Sequence, residues 1–404
     1  MNALTAFYDL PKEWEVVRLG DMATFLKGKG LSKSHVSSQA KYECILYGEL
    51  FTHYNRVITN IKSFTNIYDN PILSLNNDVL MATSGETPEI LATASCILKK
   101  GVILGGDILV IRPSSNLLDG CFLAYCIVNS KKQILSKVVG STVYHLYAKD
   151  MKDFEILLPP LKEQKAIATI LNDFDSYIHS LNTLILKKEN IKKALSFELL
   201  SQKKRLKGFN GVWEKVRLGD IAEIKRGASP RPIENPKWFC INSSIGWVRI
   251  SDISKNSCFL YKTTQKLSKE GVKRSRFVKK DSLIMSMCAT IGKPIITKID
   301  TCIHDGFVVF ENPKINLFYL YYFLCSIERE WLESGQQGSQ INLNVDLIKN
   351  KEIFYPKNLD EQKAIATILS DLDKEITSLK NKKMKFQNIK KSLNNDLMNA
   401  KIRV

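Results

Sequence analysis

The chain has 404 residues, of which 59 are Lys or Arg and 41 Asp or Glu, giving a formal charge of +18. With 44% hydrophobic and 9% aromatic residues, the composition excludes wholesale disorder and has room for two or three globular domains, while the basic excess favours a polyanionic partner. The opening residues lack the basic flank and apolar core of a secretory leader, and the most apolar run, 318–327, is about half the length that spans a bilayer, so a cytoplasmic protein with no membrane role is expected.

In chain order, residues 16–19 (VVRL), 79–81 (VLM) and 108–111 (ILVI) read as short strands, the last bounded by Gly106 and Pro113, and helical spacing follows over 117–135. Pro159 and Pro160 stop the next extended segment. A long helix is expected beyond them, with Ile167, Leu171, Phe174, Ile178, Leu181 and Ile185 spaced alternately by four and three. In the second half, 282–285 and 307–310 read as strands and 317–332 as a helix. After Pro356 a second long helix carries Ile365, Leu369, Leu372, Ile376 and Leu379, and then, past an interruption at Lys383, Phe386, Ile389, Leu393 and Leu397. This is the spacing of a coiled-coil seam. Helices of roughly 43 residues would be about 65 Å long and could not stand with that seam exposed. Antiparallel pairing within the chain is expected, with the two domains related by a pseudo-two-fold axis. Packing of each helix on its own domain, or pairing between chains, are the alternatives.

An internal repeat organises these elements. WEVVRLGD from Trp14 returns as WEKVRLGD from Trp213, an offset of 199, and EQKAIATIL at 163–171 returns unchanged at 361–369, an offset of 198. Two distant markers at nearly one offset mean two copies of one unit. Between them the copies share little beyond apolar spacing and a Gly-Ser step at Gly140-Ser141 and Gly338-Ser339. The expected fold class is therefore α/β (α+β). Globular segments at 1–158 and 208–357 alternate with helical segments at 159–207 and 358–404.

No motif for chemistry is apparent. The string from Gly28 to Ser34 misses the phosphate loop because Ser32 stands where a glycine belongs. No GxGxxG follows a strand, and there is no HExxH or GxSxG. Asp107 and Asp305 read as turn residues. Nine cysteines without a CxxC pair, and five histidines never at finger spacing, read as reduced thiols in apolar surroundings and no metal site.

What remains is binding. Side chains that grip phosphates and read base edges are Lys, Arg, Ser, Thr, Asn, Gln and Tyr. Those singled out in the first half are Lys27, Lys29, Lys33, Ser34, Tyr47, Tyr54, Arg56, Thr83, Ser84, Ser141, Thr142, Tyr144 and His145. In the second half they are Arg226, Ser229, Arg231, Arg249, Ser251, Lys273, Arg274, Arg276, Gln337, Ser339, Gln340, Asn342 and Asn344. The lysine pairs at 187–188, 192–193, 382–383 and 390–391 read as a solvated helix face or a protein contact.

The frame that opens each unit with WExVRLGD and closes it with a proline and EQKAIATIL resembles the specificity subunit of type I restriction-modification systems, most clearly at 158–171 and 355–369. The resemblance covers the whole chain. It implies two target recognition domains, each reading one half of an asymmetric bipartite site on double-stranded DNA, and an antiparallel coiled coil that sets the unread spacer. It implies no active site and no cofactor in this chain. Two methyltransferase (M) subunits would supply S-adenosylmethionine and base flipping, and restriction/translocase (R) subunits would use ATP and Mg. It also points to partner contacts at the helix starts, through Glu163, Gln164, Ile167, Leu171, Glu361, Gln362, Ile365 and Leu369. A coiled-coil DNA-binding or scaffold protein without a restriction-modification role stays open as the alternative. The charge is uneven: 1–160 holds 16 basic and 15 acidic residues, whereas 208–359 holds 23 and 15, so the second domain is expected to grip a DNA backbone more strongly.

Overall fold

The computed structural model describes residues 11–114, 116–254, 258–334 and 343–404. Its contacts divide the chain into two units, 1–183 with 380–404, and 184–379. Each unit thus takes in one globular segment, the opening of that segment's own long helix and the closing part of the other.

In the first unit, Glu15–Arg18 pairs antiparallel with Glu155–Leu158, so the strand that opens the segment lies beside the one that closes it. A five-stranded sheet runs in the order Ala23–Lys27, Ile108–Pro113, Asp78–Ala82, Ser95–Ile97 and Val57–Ile58. In the second unit Trp213–Arg217 pairs with Glu352–Pro356 in the same way. Its five-stranded sheet has the order Glu223–Arg226, Phe307–Glu311, Leu283–Ser286, Pro294–Thr297 and Phe259–Leu260. The two sheets match strand for strand, including a parallel pairing at the last edge of each. The repeat therefore runs through the region where the sequences share little. The central strands Asp78–Ala82 and Leu283–Ser286 are buried throughout, which their apolar runs require.

A helix covers each sheet. Gly120–Asn129 begins where the Asp119 carboxylate accepts from Phe122 N at 2.9 Å, and Leu317–Ser326 where the Asn316 side-chain oxygen accepts from Tyr319 N at 3.0 Å. The continuous helices expected over 117–135 and 317–332 are each divided, with breaks at Ser130 and Ile327. The Asp119 cap also leaves Leu117 outside the first helix and 63% exposed.

The long helices are Leu161–Leu200 and Leu359–Met398, of 40 residues each. In the first unit, Phe174 and Tyr177 pack on Phe386 with ring centroids 6.1 and 4.6 Å apart. Lys383 Nζ donates to Asn182 Oδ1 at 2.6 Å, and Lys390 pairs with Asp175. In the second, Lys188 Nζ lies 2.8 Å from Glu375 and Lys192 Nζ 2.5 Å from Asp373. In each unit one partner's number rises as the other's falls, which is antiparallel pairing. Two expectations change here. The Lys383 interruption is a hydrogen bond rather than a gap, and Lys188, Lys192 and Lys390 hold carboxylates of the other helix rather than lining a solvated face. Ile389 is not in the seam: it is 41% exposed, because Lys390 occupies the inward position beside Asp175.

Leu171 and Leu369 are fully buried, in the main core of their respective units. Leu171→Ala or Leu369→Ala is expected to cost about 2–5 kcal/mol by urea unfolding, whereas Thr169→Ala on the exposed face should stay within about 0.5 kcal/mol.

Candidate nucleic-acid interface

One backbone crossing is built twice and shapes both polar edges. Gly28 N donates to Ile108 O and Gly227 N to Phe307 O, both at 2.8 Å. A Cβ on Gly28 would stand 1.9 Å from Gly105 O, and one on Gly227 2.0 Å from His304 O. Only glycine fits at either position. The residues just before these glycines are basic and end the first strand of each five-stranded sheet.

In the first unit this crossing brings Lys27 and Thr83 to Asp107, with Ser84 and His145 on the adjoining ladder. Lys27 Nζ is 3.6 Å from the Asp107 carboxylate, Thr83 N donates to Asp107 O at 2.9 Å, and Ser84 pairs with His145 across a short ladder that also carries Tyr144. Lys29 is exposed beside them, as are Ser141 and Thr142 after Gly140, whose φ is +123°. Lys33 and Ser34 lie on a separate exposed turn, Lys33–His35, and Tyr47 is 39% exposed. Tyr54 and Arg56 turn inward instead. The Tyr54 hydroxyl accepts from Lys62 N at 3.0 Å, and burial pushes its pKa up to about 12; Arg56 Nη1 donates to Ala94 O at 2.9 Å.

In the second unit, Asp305 is the hub. It accepts from Ser229 Oγ at 2.7 Å and from Arg231 Nη2 at 3.4 Å, and its backbone oxygen accepts from Arg226 Nε at 2.8 Å. Arg276 Nε donates in turn to Arg226 O at 3.1 Å. The Ser229 hydroxyl, aided by backbone, His304 and Arg231, holds the Asp305 carboxyl below the usual carboxylate range. Asp305 lies in a turn, as the sequence suggested, but its role in joining these side chains was not foreseen; the signal available was Gly227, at the repeat offset from Gly28. Arg249 Nε is fixed by Gln265 at 2.7 Å. Ser251, Lys273 and Arg274 are exposed on short helices or their ends. Asn344 caps the helix Val345–Asn350 through Leu347 N at 2.7 Å, so its side-chain oxygen is occupied. Gln337, Ser339, Gln340 and Asn342 lie outside the described residues.

The helix-start residues assigned to partner contact from the resemblance need correction: all are 0–4% exposed and face their own unit. Glu163 accepts from Trp14 Nε1 at 3.3 Å and from Arg403 Nη2 at 3.0 Å; Glu361 accepts from Trp213 Nε1 at 3.3 Å and Arg205 Nη2 at 3.0 Å. Gln164 accepts from Asp119 N at 2.8 Å and donates to Pro159 O at 2.8 Å, and Gln362 does the same with Asn316 N at 2.7 Å and Pro356 O at 2.8 Å. Ile167, Leu171, Ile365 and Leu369 pack in the cores. These side chains fasten helix to domain. All nine cysteines are free thiols, and Cys240 is exposed rather than in apolar surroundings. Among the described residues no group of three or more His, Cys, Asp or Glu is placed to hold a metal ion.

Trp14→Phe and Trp213→Phe keep an aromatic side chain but delete the donor to a buried carboxylate and part of the buried ring, so each is expected to destabilise its unit by about 2–4 kcal/mol in denaturant melts. His304 sits against Trp247 and Phe307 with Nδ1 accepting from Gly306 N at 3.0 Å, and burial lowers its pKa from 6.5 despite Asp305 nearby. The unfolded chain binds this proton more readily than the folded one. Stability from neutral His304 is therefore complete above about pH 6.5 and falls as pH drops towards the depressed folded value. His304→Phe should flatten that part of the stability profile; an unchanged slope would assign it to another group.

Comparison with known proteins places this architecture. The sequence model of the type I restriction modification DNA specificity domain matches twice, over residues 11–193 and 210–386. The type I restriction enzyme MjaVIII specificity subunit of Methanocaldococcus jannaschii is 28% identical, over 98% of this chain and 94% of its own. The crystal structure of the S subunit of a type I restriction-modification system from M. genitalium superposes with a TM-score of 0.66 at 17% identity, covering 98% of this chain and 99% of that one. A chain from a structural study of complex assembly in the type I system gives 0.54 at 18% identity, covering 97% and 99%. Among the described residues no helix is long and apolar enough to cross a membrane.

Proposed function

Because the chain belongs to the type I restriction modification DNA specificity family, which it matches in both halves, we propose that it chooses the DNA sequence on which a restriction-modification complex acts. Each globular domain reads one half of an asymmetric, bipartite double-stranded site. The chain is non-catalytic. Methylation falls to two methyltransferase subunits carrying S-adenosylmethionine, and cleavage to restriction subunits using ATP and Mg.

The observation that carries this reading is one sheet and one glycine crossing built twice, with different polar side chains at matching edges. Lys27, Lys29, Thr83, Ser84 and His145 gather in the first unit, and Arg226, Ser229, Arg231 and Arg276 in the second. Exposed lysines and arginines neutralise phosphates, and an arginine held in direction can pair with the O6 and N7 of guanine. Different edges on equal scaffolds read different half-sites. A scaffold role without DNA is not favoured, because Lys188, Lys192 and Lys390 engage carboxylates of the other helix within their units instead of being left for another protein.

Replacing residues 1–158 by the first domain of another family member should change one half of the methylated sequence and leave the other intact; a change in both halves refutes one half-site per domain. In the complex with methyltransferase subunits, Arg274→Ala should lower the slope of log affinity against log salt by about 1 if it contacts a phosphate. An unchanged slope would remove Arg274 from the interface.

A further inference from the structure

The two halves differ at one inward position. Both sheets end in a short parallel edge strand, Val57–Ile58 or Phe259–Leu260, and the residue before it accepts a backbone bond from the neighbouring strand. Cys96 N donates to Arg56 O at 2.8 Å, and Ile296 N to Cys258 O at 2.9 Å. The second half places a cysteine there, 7% exposed. The first places an arginine whose guanidinium lines an open cavity of about 410 Å³, walled by Tyr54 and Tyr125 on the domain and by Lys390 and Lys391 on the second long helix.

The charges in this cavity do not balance. Among the described residues Arg56 makes one bond, to Ala94 O, and has no carboxylate within ion-pair distance, although a guanidinium has five N–H donors and stays charged. Burial lowers its pKa, and the Asp175 carboxylate, beyond ion-pair distance, offsets this only in part. Asp175, the carboxylate in the wall, is already engaged by the Tyr125 hydroxyl at 2.9 Å and by Lys390. Lys391 is exposed at the rim and makes no ion pair among the described residues. A half-buried guanidinium with one protein acceptor for its five donors is under-satisfied, and an anion entering the cavity would add acceptors.

We propose that this cavity of the first unit binds a small phosphate-bearing anion, gripped by the Arg56 guanidinium and the Lys391 ammonium. The planar fork of arginine matches two phosphoryl oxygens, and lysine adds a point charge from the opposite wall. The volume lies within the range of small-molecule sites. A DNA backbone carries the same phosphoryl chemistry, but its phosphates stand on a convex surface, whereas Arg56 lies half-buried in a recess. The second unit has no equivalent cation, since Cys258 stands in its place.

The test is thermal unfolding of the full chain in inorganic phosphate against chloride at matched ionic strength. Wild type should gain about 2–4 °C at ten times Kd. Arg56→Cys, under reductant, should lose the gain; the matching position of the second sheet carries a cysteine already. Lys391→Gln should weaken phosphate at least about threefold, and it decides the matter alone if Arg56→Cys fails to fold. Lys266→Gln, in the other unit, should keep the full gain. Absence of a gain in wild type, or an equal gain in the Arg56 and Lys391 variants, overturns the proposal. So does a reduced salt slope of DNA binding in Arg56→Cys without any phosphate effect, which would assign the recess to DNA.

Discussion

Two buried carboxylates, Glu163 and Glu361, set the terms for everything else. Each sits in the first turn of a long helix, 4% and 0% exposed, where an unpaired charge would be strongly destabilising. Each is matched by an indole N–H at the start of the domain, from Trp14 just before its opening strand or Trp213 at the head of its own, and by an arginine that follows the other long helix. Arg205 and Arg403 stand at equivalent distances beyond Leu200 and Met398. The start of either helix is therefore completed only by the end of the other, and antiparallel pairing supplies both ends at once. Tyr125 with Asp175 and Tyr322 with Asp373, each at 2.9 Å, repeat the same logic further along, where a domain hydroxyl and a helix lysine share one carboxylate.

With the frame held by these reciprocal bonds, the sheet edges are free to differ. Gln164 and Gln362 close the backbone groups where strand gives way to helix, and the opening and closing strands of each domain pair directly. The polar edges begin at the end of each sheet's first strand, at a glycine crossing whose backbone contact fixes the loop without using a side chain. Substitutions at Lys27 or Arg226 therefore leave the fold's own hydrogen bonds largely intact. A scaffold that keeps stability and recognition on separate residues can change what it reads without refolding.

Much of this was legible in the sequence. The repeat, the proline-terminated strands, the helix starts and most of the seam follow from spacing, which left the helices' packing partner open among three arrangements. The equality of the two sheets was not legible, because their edge strands, such as Val57–Ile58 and Phe259–Leu260, are two residues long and carry no periodicity. Charged residues at a repeated helix start resembled a surface for partners. Their burial follows from Arg205 and Arg403, which lie 156 and 240 residues away in sequence. Ile389 looked like seam by spacing, yet the Asp175 carboxylate draws Lys390 inward in its place. Local pattern gives way wherever a buried charge must be answered from a distant segment.

The same rule bears on how the basic excess is deployed. On the helices Lys188, Lys192 and Lys390 are committed to carboxylates of the other helix, so part of the charge open to a polyanion lies on the domains. In the second domain a carboxylate, Asp305, sits among Arg226, Arg231 and Ser229, which lowers the net attraction for phosphate. A surface built only for grip would omit it. The Asp305 backbone oxygen directs Arg226 and its carboxylate, held below the usual pKa, directs Arg231, and a guanidinium of fixed direction distinguishes one base edge from another. The cluster exchanges some strength of attraction for orientation, which fits sequence choice better than sequence-blind binding.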